Sequence, residues 1–181
     1  MRIVAGKWRG KRLIDIGHDI KENVIRPTSD RVKESLFNIL QNHFCFEDLA
    51  ILDCFSGTGN LSYEFLSRGV KTVRSIDANF NCIAYQQKVK KELNFDNFNP
   101  IRKDVFQALT EISEKYNIIF SDPPYELDKI TEIPKLVFEK KLLLTGGWLI
   151  IEHSKHTVFK HEKLKETRRY GNVNFSVFIN S

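Results

Sequence analysis

Cysteine is scarce in this 181-residue sequence: the three, Cys45, Cys54 and Cys82, lie far apart with no C-x-x-C pair. That spacing argues against a disulfide framework and against a structural zinc site. Long apolar runs are missing too. None approaches the roughly 18–20 residues a membrane helix needs, so no membrane partner is expected. The opening MRIVAGKWRGKRL has cations but no apolar stretch of the kind a secretory signal carries, and a cytoplasmic location is the expectation. His153, His156 and His161 could suggest a metal cluster, but Cys and carboxylates at matching spacing are lacking. The plainer reading is a solvated basic stretch, and no metal is expected. Repeats and low-complexity segments are absent.

What is present suits a globular chain with a real core: 41% hydrophobic and 28% charged residues. The length fits one domain with a small appendage, and we divide it into a basic extension over 1–28 and a main domain over 29–181. The formal charge is +5, and its distribution is informative. Arg2, Lys7, Arg9, Lys11 and Arg12 fall within the first twelve residues with no acid among them, so the rest of the chain is balanced. A second basic stretch runs from Lys155 to Arg169. A positive arm holding Trp8 suits contact with phosphate backbones, where cations displace counterions. A basic tail kept for solubility is the equal alternative on charge alone.

The first 25 residues are short apolar patches broken by Gly6, Gly10 and Gly17, closer to small strands or an arm than to a helix. After Pro27, Thr28 or Ser29 can cap a helix near 29–42, with Val32, Leu36 and Leu40 on one face. Strands and helices then alternate. Strands are expected over 49–53, 72–77, 100–103, 117–121 and 147–152, and helices over 61–68, 79–93, 105–113 and 129–143. Two more strands, near 158–169 and 173–179, flank the hairpin signal Tyr170-Gly171-Asn172. This order implies an α/β fold with a mainly parallel sheet covered on both faces and a C-terminal antiparallel hairpin. Right-handed crossovers bring the strand C-termini to one edge, where ligands bind in open α/β sheets. Asp53, Asp77, Asp104 and Asp122 stand at or just beyond four successive strand ends. One such Asp is often a helix cap; four converging on one edge are hard to explain by capping alone.

Two motifs carry the chemistry. In Asp53-Cys54-Phe55-Ser56-Gly57-Thr58-Gly59, glycines after a strand permit a tight turn and close approach to a ligand. The dinucleotide pattern G-x-G-x-x-G fails, because its third position is Ser62. A carboxylate at the strand end would repel a pyrophosphate and suits a cationic, amino-acid-like group. Asp77 can accept from ribose hydroxyls and Asp104 from an adenine amine. Together these describe a nucleoside bearing an ammonium and a sulfonium, S-adenosylmethionine. The second motif is Asp122-Pro123-Pro124-Tyr125. An exocyclic base amine is a poor nucleophile because its lone pair is delocalised. Acceptors on both N–H groups, here the Asp122 carboxylate and the Pro123 carbonyl, bias the nitrogen toward sp³ character. Pro123 and Pro124 stiffen the turn, and Tyr125 offers a face for an extruded base. Attack on the methyl is then a matter of positioning. The bland alternative is a strand-to-helix turn that happens to use two prolines.

At these residues the chain resembles the RsmD family of bacterial 16S rRNA (guanine-N2) methyltransferases. The matching pieces are MRIVAGKWRGKRL, IRPTSDRVKESLFNIL, ILDCFSGTGNLSYEFLSRGV, IIFSDPPYE and RRYGNVNFSVF, nearly the full length. The resemblance implies a Rossmann-like class I methyltransferase fold with a small N-terminal extension. It implies S-adenosylmethionine as donor and one guanine of 16S rRNA, in an assembled or partly assembled small subunit, as acceptor. By position, Asp53, Ser56, Gly57 and Gly59 line the donor with Phe55 and Val105 beside them, Asp77 takes the ribose and Asp104 the adenine. Asp122, Pro123, Pro124 and Tyr125 form the amine site. Arg26 and Thr28 stand near the reaction centre, and Arg2, Lys7, Trp8, Arg9, Lys11 and Arg12 meet the RNA. Two residues depart from the family pattern: Asp77 stands where Glu is common, and Asn117 where Asp is frequent. A monomer is expected. Two other readings stay open, a DNA adenine-N6 methyltransferase and a non-catalytic RNA-binding module of ribosome assembly.

Overall fold

A computed structural model describes residues 1–13, 30–171 and 173–181. Five parallel strands form its centre: β1 (Ala50–Cys54), β2 (Thr72–Asp77), β3 (Phe98–Arg102), β4 (Tyr116–Ser121) and β5 (Leu143–His153). Two antiparallel strands, β6 (Leu164–Tyr170) and β7 (Val173–Ile179), complete a sheet of order β3-β2-β1-β4-β5-β7-β6. Strand order reverses between β1 and β4, so their C-terminal ends diverge around a crevice. The expected mainly parallel sheet with a C-terminal hairpin is the observed one.

Helices α1 (Asp30–Gln41), α2 (Asn60–Ser67) and α3 (Phe80–Glu92) cover one face, and α4 (Val105–Glu111) and α5 (Glu132–Glu139) the other. Each face has its own apolar core. One gathers Leu36, Phe37, Phe65, Val73, Phe120 and Ile150; the other gathers Leu52, Ile76, Leu109, Ile119, Ile133 and Ile151. Asn79 caps α3, its side chain accepting from the amides of Asn81 and Cys82.

Several boundaries differ from the sequence-based expectations, each for a tertiary reason. The third strand starts at Phe98 and contains Pro100, which is tolerated because β3 is the outer strand of the sheet. The stretch expected as a helix over 129–143 is helical only over Glu132–Glu139, with Pro134 in its first turn. Leu142 and Leu143 instead enter the core, and β5 begins four residues before Gly147. The first tail strand is shorter than 158–169, because Phe159 packs down on Phe178 and His153 before β6 begins.

Residues 1–13 form a small antiparallel hairpin. Ile3 donates to Lys11 O, Gly10 to Ile3 O and Leu13 to Met1 O, at 2.9–3.1 Å. It lies across α2 and explains why that helix is buried from Leu61 to Ser67. Contact is close: the amide of Lys7 donates to Ser67 O at 2.7 Å, and a Cβ on Gly6 (φ +79°) would fall 1.9 Å from that oxygen. Ile3 and Leu13 are buried in the core beneath.

The buried Glu64 of α2 holds this arrangement together. Its carboxylate accepts from the amides of Val4 (2.9 Å) and Ala5 (3.1 Å) and from Arg68 Nε (3.0 Å). Lys33 of α1, equally buried, lies 3.9 Å away and donates to Arg2 O and to Asn60 Oδ1.

Candidate active site

A cleft of about 540 Å³ opens at the C-terminal ends of β1, β2, β4 and β5, a volume suited to a nucleoside-sized ligand. Its loop after β1 is built for close approach. Phe55 (φ 56°), Gly57 (φ 51°) and Gly59 (φ 85°) all take left-handed conformations. At Gly59 a Cβ would stand 2.8–2.9 Å from the ring end of Tyr63, so only glycine fits there. A left-handed Phe is costly for a residue with a bulky side chain. Buried Gln86 of α3 stabilises the loop, donating to Ser56 Oγ (2.9 Å) and Gly57 O (2.7 Å) while accepting from Ser75 Oγ.

Carboxylates ring this cleft. Asp53 at the end of β1 is only 2% exposed, and its Oδ2 accepts from Ser62 Oγ at 2.6 Å. Burial pushes its pKa up to about 7; the Ser62 hydrogen bonds oppose that shift, and the charge of Asp77 adds to it. Asp77 accepts from the amides of Gly57 and Asn79, both at 2.8 Å, which leaves lone pairs on each oxygen. Asp104 caps α4 by accepting from the amide of Gln107 at 3.0 Å. The bland reading thus holds for one of its oxygens, while the residue still lines the cleft.

Asp122 follows β4, its amide donating to Cys54 O at 3.3 Å. Its carboxyl is pushed well above the usual carboxylate range by burial and by the neighbouring charges of Glu152 and Asp53. Pro123 is buried while Pro124 and Tyr125 are exposed, so the motif rises from the cleft floor to its rim. The amide of Leu127 donates to Pro124 O at 2.9 Å and closes the turn.

The structure brings together Asp53, Phe55, Ser56, Gly57, Asp77, Asp104, Val105, Asp122, Pro123, Pro124 and Tyr125. Gly59 shapes the loop from beneath. The cationic residues 2–12 sit apart on the α2 hairpin. There Arg2 pairs with Asp30 and Lys11 with Glu92, both at 2.9 Å, and Trp8 packs edge-on against Phe95. Arg26 and Thr28 lie outside the described residues. Sequence reasoning passed over Asn60, Asn79, Cys82, Phe120 and Glu152 in the lining. Glu152 was within reach of the same strand-end argument that singled out Asp53. Gln86, inside a helix, left no such signal. Asn117 has a structural task, accepting from the amide of Ala50 at 2.8 Å. The three histidines of 153–161 gather no ligand set among the described residues: His153 bonds Ser154 O and Ser176 Oγ, and His161 packs on Phe138.

The lining holds five carboxylates, those of Asp53, Asp77, Asp104, Asp122 and Glu152, and among its described residues no Lys, Arg or His. Such a site opposes phosphates and favours a cationic ligand. A family model described as Conserved hypothetical protein 95 matches residues 1–179.

The chain belongs to this family, the RsmD family.

Ribosomal RNA small subunit methyltransferase D of Escherichia coli K12 is 32% identical over 155 residues, spanning 84% of this chain and 71% of that protein. The protein of the same name from Buchnera aphidicola subsp. Baizongia pistaciae is 27% identical over 99% of this chain and 92% of its own. An RNA methyltransferase from Salinibacter ruber, solved with S-adenosyl-L-homocysteine, superposes with a TM-score of 0.66 at 14% identity. It covers 86% of this chain and 94% of that one. That likeness establishes the Rossmann-like class I methyltransferase fold in this RsmD-family chain.

Proposed function

We propose that this chain transfers a methyl group from S-adenosylmethionine to the exocyclic N2 of a guanine in 16S rRNA of the small ribosomal subunit, assembled or partly assembled. The observation that carries the reading is a cleft whose charged lining, among the described residues, is entirely carboxylate, with Asp122-Pro123-Pro124-Tyr125 running to its rim. The acids fit the donor's two positive charges, and the described residues of the lining offer no cation to a phosphorylated dinucleotide. The family and its relatives named as rRNA methyltransferases support the choice of RNA.

S-adenosylmethionine, when bound, supplies the methyl as an electrophile. Asp53 would face its ammonium group, and the cation would favour the ionised form that burial disfavours. Asp77 would accept from the ribose and Asp104 from the adenine amine, with Phe55 and Val105 as apolar walls. Asp122 and the Pro123 carbonyl would accept the two N–H bonds of the target amine. This holds the nitrogen in line for attack. The methylated nitrogen would have one proton to lose, and Asp122 or solvent would take it. Tyr125 presents its ring to the base.

The test uses small subunits and duplex DNA incubated with isotope-labelled donor, followed by nucleoside mass analysis. N2-methylguanosine from subunits is expected. N6-methyladenosine from DNA would overturn the reading, and so would calorimetry that detects no donor binding, which would favour a non-catalytic RNA-binding module. Asp122→Ala should lower transfer about 10²–10³-fold, the scale of a lost transition-state contact, with donor binding within a few-fold. Retained activity would remove Asp122 from its assigned role.

A further inference from the structure

Glu152 is a cleft carboxylate to which the donor reading gives no task. It stands at the end of β5, opposite Phe175 of β7, and is 5% exposed. The strand end that carries it is fixed. The next residue, His153, is held on both ring nitrogens, by Ser154 O and Ser176 Oγ at 2.8 Å, and Ser176 is bonded in turn to Thr167 Oγ1. Glu152 lines the cleft beside Asp122 and Pro123, and its Oε1 accepts from the hydroxyl of Tyr125 at 3.3 Å. Two carboxylates therefore converge where the base edge would lie, and each can accept several hydrogen bonds and donate none when ionised.

We propose that Glu152 selects the base, accepting the N1–H of guanine while Asp122 accepts from the neighbouring N2 amine. This rests on the guanine-N2 reading above and supplies a structural reason for it. The three amino-bearing bases differ beside the amine. In guanine the neighbouring ring position is N1–H, a donor. In adenine and cytosine it is an unprotonated ring nitrogen, whose lone pair would face the Glu152 carboxylate. Two adjacent acceptors thus complement guanine alone. A site built to hydrogen-bond a substrate N–H rejects the analogue lacking it by factors of about 10⁴–10⁵ in the best cases, because its own polar group is left unpaired. The influence of Glu152 on the Asp122 carboxyl agrees with the two groups facing one space.

The discriminating substrate is 2-aminopurine, which keeps the amine of guanine but has no N1–H. The methylated nucleotide is first mapped with wild-type enzyme. That position is then rebuilt as guanine or 2-aminopurine in ligated rRNA assembled into subunits. Wild-type enzyme should prefer guanine by at least about 10³ in kcat/KM. Glu152→Gln, which offers an N–H to the bare ring nitrogen, should lose about a hundredfold or more on guanine and little on 2-aminopurine, with donor affinity unchanged. Equal rates of wild-type enzyme on the two bases, or an unchanged preference in Glu152→Gln, would overturn the proposal. An equal loss on both bases would also overturn it, since a purely structural role predicts that. Tyr125→Phe keeps the ring and removes the hydroxyl that orients Glu152. It should narrow the preference several-fold, and it decides the matter if Glu152→Gln fails to fold: an unchanged ratio then counts against selection. A wild-type reaction that makes no N2-methylguanosine at all sinks the underlying reading instead.

Discussion

Two buried carboxylates about ten residues apart in sequence lead opposite lives. Glu64 is fully buried and surrounded by donors: two backbone amides of the hairpin, the guanidinium of Arg68 and, slightly further off, the ammonium of Lys33. Asp53 is almost as buried, yet its carboxyl is satisfied by Ser62 alone among the partners found in the described residues, and it faces the charge of Asp77. Burial disfavours a charge unless protein groups replace its water. Glu64 has received that replacement and ties the hairpin to α1 and α2. At Asp53 that replacement is incomplete among the described residues, and the donor's ammonium group would supply it under the proposed function.

The largest expected effect falls on Glu64. Glu64→Ala leaves the Arg68 and Lys33 cations and two hairpin amides without their shared acceptor, and breaking a buried charge network by removing one partner costs about 3–5 kcal/mol. Denaturant unfolding should register that loss, with donor affinity of the folded fraction changed no more than a few-fold. A stability within about 0.5 kcal/mol of wild type would mean that Glu64 is not the clasp.

Asp53→Asn should do the reverse. The folded pKa of about 7 lies above the unfolded carboxylate value near 3.9. Protonation thus favours the ligand-free folded state, and that stability is lost as pH rises from about 4 to 7. Above pH 7 the neutral amide should therefore leave the ligand-free protein as stable as wild type or more so. Donor affinity should fall about 10–100-fold, since hydrogen bonds to charged groups contribute about 1.5–3 kcal/mol. Wild-type donor affinity should itself weaken below pH 7, by up to about tenfold per unit, because the donor's ammonium needs the ionised acid. Calorimetry across pH 5.5–7.5 should find that slope flattened in the variant. Equal slopes in both proteins would dissolve the contrast with Glu64.

The same contrast explains what the sequence could disclose. Asp53, Asp77, Asp104 and Asp122 were legible because each stands at or just beyond a strand end, and parallel topology sends all those ends to one edge. The mainly parallel sheet followed from the alternation of strands and helices, whereas the strand order did not. Glu64 was hidden, since a Glu inside a helix ordinarily faces water. Its burial depends on the hairpin 1–13 folding back over α2, a contact between segments some 60 residues apart in the chain. Helix α5 and β5 were misjudged in length for a related reason. Leu142 and Leu143 read equally well as helix or strand, and only their place in the core decides. Local pattern carried the strand ends; tertiary burial decided the rest.

The smallest effect tests whether the hairpin is only the lid that Glu64 secures. Arg2 and Lys11 are engaged by Asp30 and Glu92, whereas Arg9 and Arg12 are exposed and have no ion-pair partner among the described residues. If this face meets rRNA phosphates, those two cations and the exposed Lys7 carry the contact. Arg9→Ala and Arg12→Ala should then each weaken RNA binding a few-fold, evenly across sequences, and reduce the dependence of log K on log salt by about one. Folding stability should move by less than about 0.5 kcal/mol, as expected for exposed side chains. A salt dependence unchanged in the double variant would leave the hairpin a structural cover for α2 and turn attention to the basic stretch from Lys155 to Arg169, whose Arg168 and Arg169 stand beside the end of β6 at the cleft edge of the sheet.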